Sequence, residues 1–106
     1  MNIWTLDKDI SIKHLLLLLT HQFGDNAFEL ESISENEKSI RVNKRGDSTL
    51  SVYIFTYGQK ENHYGVHLEY PDLIETNLSN TLDVYDNINY VSLCGLLQVH
   101  LDVNPM

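Results

Sequence analysis

The chain has 106 residues, the length of one compact domain, and 42% of them are hydrophobic, which lies outside the composition of disordered chains. Its formal net charge of −8 would repel nucleic-acid phosphates and anionic lipids, so neither is an expected partner. The single cysteine, Cys94, cannot form an intramolecular disulfide and is typical of a reducing compartment. We therefore expect one domain over residues 1–106, located in the cytoplasm.

The first predicted element is a helix from Ile10 to Phe23. Apolar residues recur there at helical spacing and form one stripe: Ile12, Leu15, Leu16, Leu19 and Phe23. Asp9 or Ser11 is the expected N-cap, and Gly24 is placed to end the helix in a left-handed conformation.

We expect neither a targeting segment nor a membrane-spanning segment in this N-terminal region. Residues 1–6 lack the basic stretch of a signal peptide. The leucine run at 15–19 is far shorter than the roughly 20 apolar residues of a membrane span. Neither export nor membrane insertion is expected.

Four segments with period-two alternation follow and predict strands: Ala27–Ile33, Ser39–Asn43, Thr49–Tyr57 and His63–Tyr70. Short polar turns that contain glycine, asparagine or aspartate separate them at 34–38, 44–47 and 58–62. Connections of this length favour an antiparallel four-stranded meander.

Alternation also assigns the two faces of the predicted sheet. One face is apolar and forms the expected core: Phe28, Leu30, Ile40, Val42, Leu50, Val52, Ile54, Tyr64, Val66, Leu68 and Tyr70. The other face is mostly polar: Glu29, Glu31, Ser39, Arg41, Asn43, Ser51, His63, His67 and Glu69. Tyr53, Phe55 and Tyr57 interrupt the polar face as an aromatic row. Either Trp4 with the N-terminal segment, the loop after Pro71, or a protein partner is expected to cover this row.

After Pro71 the sequence predicts a long acidic loop from Asp72 to Asn89, with a short helix near 72–77. The segment from Ser92 to Val103 fits both strand and helix patterns. Ser92 as N-cap, and a hydrophobic staple between Val91 and Leu96, favour the helix. Both helices need an apolar cover, so we expect a two-layer α+β fold with the N-terminal and C-terminal helices packed on one face of the sheet.

The charges are distributed unevenly along the chain. All seven lysines and arginines lie at or before Lys60, and the seven carboxylates after it are unopposed: Glu61, Glu69, Asp72, Glu75, Asp83, Asp86 and Asp102. Four of these seven lie in the predicted loop, which makes the loop the expected contact for a basic partner. The charges that flank the aromatic row are Glu29, Glu31 and Glu69, and Arg41 alone does not make the positive groove that single-strand RNA binders use.

The histidines do not predict a metal site. His63 and His67 would lie roughly 13 Å apart along a strand, too far to share a metal. His14, His21 and His100 lack the one-turn spacing of paired zinc ligands on a helix. We expect no bound metal.

No pattern predicts catalysis. Cys94 and His100 are six residues apart and would face different sides of a helix, so Cys94 is interpreted as a buried structural thiol. Hydrolase elbows, P-loops and dinucleotide fingerprints are absent, and the carboxylate pairs are expected by chance in so acidic a chain. We expect neither an enzyme nor a cofactor.

The layout carries a family resemblance. An N-terminal helix, a meander from Phe28 to Tyr70, and a closing segment from Tyr85 to Leu93 that leads into a helix resemble bacterial immunity proteins, which neutralise contact-dependent or polymorphic toxins. The resemblance implies a cytoplasmic protein that binds one cognate toxin domain, often a basic nuclease. The expected partner-binding residues are Tyr53, Tyr57, Glu69, Asp72, Glu75, Asp83, Tyr85 and Asp86. The chain itself would be a monomer or weak dimer.

Three alternatives stay open. A phage-encoded inhibitor that mimics DNA would be equally acidic, and duplex DNA would compete with it. A homo-oligomeric structural domain would instead pack Tyr53, Phe55 and Tyr57 against a second copy. A small enzyme would be indicated by a tightly bound metal.

Overall fold

The computed structural model describes residues 3–30, 36–70 and 81–106. A 3-10 turn at Ile3–Thr5 precedes helix α1 (Ile10–Phe23), and helix α2 (Tyr90–Leu101) closes the chain. Between the helices lie five strands: β1 (Phe28–Leu30), β2 (Ser39–Lys44), β3 (Asp47–Phe55), β4 (Tyr64–Glu69) and β5 (Thr81–Ile88). The predicted α+β class is confirmed.

The strands form one antiparallel sheet in the order β1-β2-β3-β4-β5, so the predicted meander is present but has five strands instead of four. The expected loop from Asp72 to Asn89 is wrong for its second half, because Thr81–Ile88 pairs with β4 as an edge strand. The short helix expected near 72–77 lies outside the described residues.

Irregular pairing explains why β5 does not look like a strand in the sequence. The register between β4 and β5 shifts twice, once between Tyr64 and Val66 and once between Leu68 and Glu69. Asn87 adopts a positive φ of 51° at the first irregularity. Each extra residue reverses the alternation of faces, so no period-two pattern extends along the strand.

Helix α1 matches its prediction. Asp9 is the N-cap and accepts a 3.0 Å hydrogen bond from the Ser11 backbone N–H. The expected apolar stripe is buried along its whole length. The Gly24 N–H donates to the Thr20 carbonyl at 2.8 Å, and Gly24 has a φ of 94° and a ψ of 162°, which is a positive φ outside the left-handed helical region expected for it.

Helix α2 is confirmed as a helix, but its start was misplaced. Asn89, and not Ser92, is the N-cap, because the Asn89 side chain accepts a 2.8 Å hydrogen bond from the Ser92 N–H. The helix therefore begins at Tyr90, and Val91 lies inside it with 78% of its surface exposed. The expected staple between Val91 and Leu96 is not formed.

Both helices pack on the face of the sheet that was predicted to be apolar. The predicted core residues are buried except Leu30, Leu50 and Tyr70, which are partly buried and pack against the core. His100 of α2 reaches the same face, where its Nε2 lies 3.1 Å from the Ser51 carbonyl and 2.9 Å from the Glu69 carbonyl. Since both neighbours are acceptors, Nε2 carries the proton. In the described ranges, neither helix has the length and apolar character of a membrane span.

Candidate functional site

The aromatic row lies on the face of the sheet opposite the helices, as alternation predicts. Phe55 is its centre and is only 6% exposed. The Phe55 ring stacks on Tyr57 with centroids 4.6 Å apart, and it meets His67 edge-on at 5.3 Å. Gly65, the cross-strand neighbour of Phe55 on β4, leaves the space that the ring occupies.

The hydroxyl groups of the two tyrosines in this row are hydrogen-bonded to each other. The Oη atoms of Tyr53 in β3 and Tyr57 in the turn that follows it are 3.3 Å apart. The hydrogen bond with Tyr53, helped by burial, raises the pKa of Tyr57 to about 12. The row therefore presents two linked phenol groups to solvent, and Tyr57 is 39% exposed.

The described part of the N-terminal segment, Ile3–Thr5, packs against α1 and does not cover this row, so the first of the three expected covers is wrong for these residues. Ile3 is buried in the core on the helical side. The Lys13 side chain of α1 donates to the Trp4 carbonyl at 3.2 Å, which holds the segment against α1. Trp4 itself is 59% exposed.

Glu69 lies on the same face as the aromatic row and is held by an ion pair. Arg41 binds it through two hydrogen bonds, from Nε to Oε1 at 2.6 Å and from Nη2 to Oε2 at 3.1 Å. Ser51 donates a third at 2.8 Å. Burial raises the pKa of Glu69, but the hydrogen bonds and the Arg41 charge outweigh burial and lower it. The guanidinium group also lies 5.2 Å from the centroid of the Tyr53 ring.

Strand β5 divides the remaining predicted site residues between two sides of the sheet. Asp83 pairs with Leu68 and Tyr85 pairs with Val66, so both point to the helical side. There Tyr70 donates a 2.9 Å hydrogen bond to Asp83. Val84, with 57% of its surface exposed, lies on the aromatic side next to His67.

Asp86 lies at the irregularity of β5, where the strand is tied to the turn that follows β3. Gln59 of that turn donates to the Tyr57 carbonyl at 3.4 Å and to Asp86 Oδ1 at 3.5 Å. Asn87 accepts from the Lys60 N–H at 2.8 Å and donates its own N–H to Gln59 Oε1 at 2.6 Å. This end of the sheet thus brings Tyr57 and Asp86 together.

Six of the eight predicted contact residues lie in the described ranges, and they fall into three groups. Tyr53, Tyr57 and Glu69 share the aromatic side, Asp83 and Tyr85 share the helical side of β5, and Asp86 lies at the end of the sheet. Asp72 and Glu75 lie outside the described residues. The six described residues lie on β3, β4, β5 and the turn after β3. A partner that contacted all three groups would have to bind both faces of the sheet around strand β5.

Cys94 of α2 is a buried free thiol. The Cys94 thiol is buried, lies 3.9 Å from Gln22 Oε1, and has its pKa raised by burial. Burial and the neighbouring Cys94 also raise the pKa of Tyr90, whose buried hydroxyl has no hydrogen-bond partner within the described part of the chain. Within the described ranges, no group of three or more His, Cys, Asp or Glu side chains could hold a metal ion.

No protein-family model, no curated protein and no solved structure matches this chain. Any function must therefore be argued from its own surfaces.

Proposed function

We propose that this chain is an immunity-type inhibitor that binds a basic, nuclease-type toxin domain in the cytoplasm. The observation that supports it best is β5, an edge strand with two carboxylates and two exposed apolar side chains in a half of the chain without lysine or arginine. An acidic edge of this kind suits the cationic substrate groove of a nuclease.

Exposed apolar groups supply the contact area that charge alone lacks. Tyr57, Val84 and Tyr85 are all exposed around this edge, and tyrosine is among the side chains that contribute most to protein interfaces. The carboxylates of Asp83 and Asp86 lie beside them. Such a mixture favours fast, salt-dependent association followed by apolar packing.

The same edge disfavours pairing between two copies of the chain. An antiparallel β5–β5 pair would bring the carboxylates of Asp83 and Asp86 near those of the second copy. The two register shifts also disturb the row of backbone groups that a new strand would need. Phe55, at 6% exposure, offers little surface for self-association through the aromatic row. These features favour a protein of different sequence as the partner.

Glu69 contributes less to this proposed interface than its charge suggests. Its carboxylate is already matched by Arg41 and Ser51, so a cation from a partner would have to compete with them. The carboxylates that remain for a basic partner among the described site residues are Asp83 and Asp86. Within the described ranges, Asp83 accepts one hydrogen bond, from the Tyr70 hydroxyl, and Asp86 accepts one long hydrogen bond, from Gln59.

The proposal is tested by co-expression with the product of the neighbouring gene. If that product is a toxin, its expression alone should arrest growth, and this chain should restore growth and form a complex with the toxic domain. A catalytically dead toxin that still binds is the control for dose. A neighbouring toxin that is neither bound nor neutralised would contradict the proposal, and a complex displaced by duplex DNA would instead indicate a DNA mimic.

A further inference from the structure

A groove of about 340 Å³ opens where the first turn of α1 meets the turn between β3 and β4. Its wall from α1 includes Asp9, Ser11 and His14. Three further residues line the groove: Lys60 lies in the turn, His63 directly precedes β4, and Lys38 directly precedes β2. The six predicted partner-binding residues in the described ranges do not line this groove.

Among the described residues, two cationic side chains without a hydrogen bond or ion pair line this groove. Five of the seven lysines and arginines bind an oxygen: Lys8 binds Asn36, Lys13 binds Trp4, Arg41 binds Glu69, Lys44 binds Asp102, and Arg45 binds Asn26. The other two are Lys38 and Lys60, and no acceptor in the described ranges lies within hydrogen-bond or ion-pair distance of their ammonium groups. Both therefore keep their full donor capacity for a ligand.

The main acid of the groove floor is already engaged. Asp9 Oδ2 accepts from the Ser11 N–H at 3.0 Å and from Ser11 Oγ at 2.6 Å. Since Ser11 has a single hydroxyl proton, the 2.7 Å contact between Ser11 Oγ and Thr56 Oγ1 has Thr56 as its donor. The hydrogen bonds with Ser11, with a smaller contribution from the Lys38 charge, lower the pKa of Asp9, so Asp9 caps α1 and also interacts with Lys38. The exposed Glu61 is the other carboxylate of the lining.

Backbone hydrogen bonds hold this floor in place. The Asp9 N–H donates to the Glu37 carbonyl at 2.9 Å, and the Thr56 N–H donates to the Lys38 carbonyl at 2.9 Å. His63 Nδ1 lies 2.8 Å from the Glu61 carbonyl, so Nδ1 carries a proton and Nε2 is the nitrogen available to a ligand. A groove with fixed walls loses little conformational entropy when it is filled.

We infer that this groove binds a small oxyanion, a phosphate or a carboxylate group, through the ammonium groups of Lys38 and Lys60. Its volume lies near the lower end of the roughly 300–1,000 Å³ of ligand sites, which suits a small molecule. Because two carboxylates lie beside the two ammonium groups, we expect weak binding, with a dissociation constant on the order of 1 mM. This inference does not depend on the proposed toxin-binding function.

The test is an NMR titration of the whole chain with inorganic phosphate and, separately, with succinate, at constant ionic strength. We expect saturable shifts of the backbone amide signals of Ser11 and of residues 59–63. The variant Lys38→Gln/Lys60→Gln should bind at least about tenfold more weakly. The variant Lys13→Gln/Lys44→Gln has the same net charge and should bind within about twofold of the unaltered chain.

The two probes separate the sources of the anion. Tighter binding of phosphate would indicate a phosphorylated small molecule, and equal or tighter binding of succinate would indicate a carboxylate ligand. Shifts that do not saturate, or equal binding by Lys38→Gln/Lys60→Gln, would overturn the inference. Both lysines are exposed, and an unchanged amide spectrum outside the groove would show that the variant remains folded.

Discussion

At the scale of single residues, the packing of Phe55 over Gly65 makes a sharp prediction. A Cβ atom at position 65 would lie far inside contact distance of the Phe55 ring, so Gly65→Ala forces the ring to move. We expect a loss of about 1–3 kcal/mol in the free energy of unfolding. Urea denaturation measures it, and adding Phe55→Leu to Gly65→Ala should recover part of the loss.

Gly95 provides the matched control for that substitution. It lies within α2, and a Cβ atom there would meet nothing within 4 Å. Gly95→Ala should therefore raise the free energy of unfolding by up to about 1 kcal/mol, because alanine favours helix. If both alanine variants changed stability in the same direction, steric contact with Phe55 would not be the cause.

The ion pair of Glu69 predicts an acid-dependent part of the stability. Its pKa is lowered from the ordinary value of 4.5, so the folded chain holds the carboxylate charged to lower pH than the unfolded chain does. The stabilisation is complete above about pH 4.5 and is lost as the pH falls through the lowered value. Unfolding curves between pH 3 and 7 should show a weaker acid dependence for Glu69→Gln.

A control for this pH effect is Glu29→Gln, which removes an exposed carboxylate from the same strand system. Its side chain accepts one backbone hydrogen bond, from Gly46 at 3.1 Å, and no arginine binds it. An acid dependence reduced equally by both variants would mean that general charge, and not the contact with Arg41, is responsible.

At the scale of elements, the tie between β5 and the turn after β3 can be measured through Asn87. Its φ of 51° strains any residue with a Cβ atom, and its side chain accepts the Lys60 N–H. Asn87→Ala should cost about 1–2 kcal/mol of unfolding free energy, and Asn87→Gly should cost less because glycine adopts this φ freely. Hydrogen exchange of the Lys60 amide should accelerate in both.

Asn62 separates the two contributions. Asn62 lies in the turn after β3 and has a similar φ of 59°, so Asn62→Ala tests the backbone strain by itself. A cost for Asn87→Ala no larger than that for Asn62→Ala would show that the hydrogen bond to Lys60 does not stabilise β5.

The elements also show how far the sequence could predict this fold. Helix α1 and strands β2 to β4 follow regular periods, so their existence, face and antiparallel order were predictable. Strand β5 was missed because its bulges interrupt the period, and Asn89 was missed as N-cap because Ser92 carries an equally good local signal. Local patterns do not contain the contacts that decide such cases.

The candidate site was predictable to the same extent. Alternation identified Tyr53, Phe55 and Tyr57 as an outward row, which is where they lie. The ion pair of Arg41 with Glu69 depends on strand register across β3, and the groove of Lys38 and Lys60 depends on how α1 meets two turns. Neither arrangement has a signature in the linear sequence.

At the scale of the whole molecule, the uneven charge should act on the rate of association. If Asp83 and Asp86 face a basic partner, Asp83→Asn/Asp86→Asn should lower the association rate about fivefold at low salt and much less at high salt. Asparagine at position 83 still accepts the Tyr70 hydroxyl, so the fold is kept. Stopped-flow mixing with the partner measures the rate at several salt concentrations.

Asp7→Asn/Asp25→Asn is the control for this charge effect. Both aspartates are exposed and precede β1 in the chain, and the variant has the same net charge as Asp83→Asn/Asp86→Asn. Equal slowing by the two double variants would assign the effect to net charge, and no slowing by either would remove the electrostatic role of β5.

Lys60, in the turn between β3 and β4, contributes to two separate regions of the molecule. The Lys60 main chain holds β5 through Asn87, while its side chain lines the groove beside α1. Substitution at position 60 can therefore change what the groove binds without releasing β5. An insertion or deletion in the turn would move both at once. Across related chains, the number of residues in this turn should vary far less than their identities.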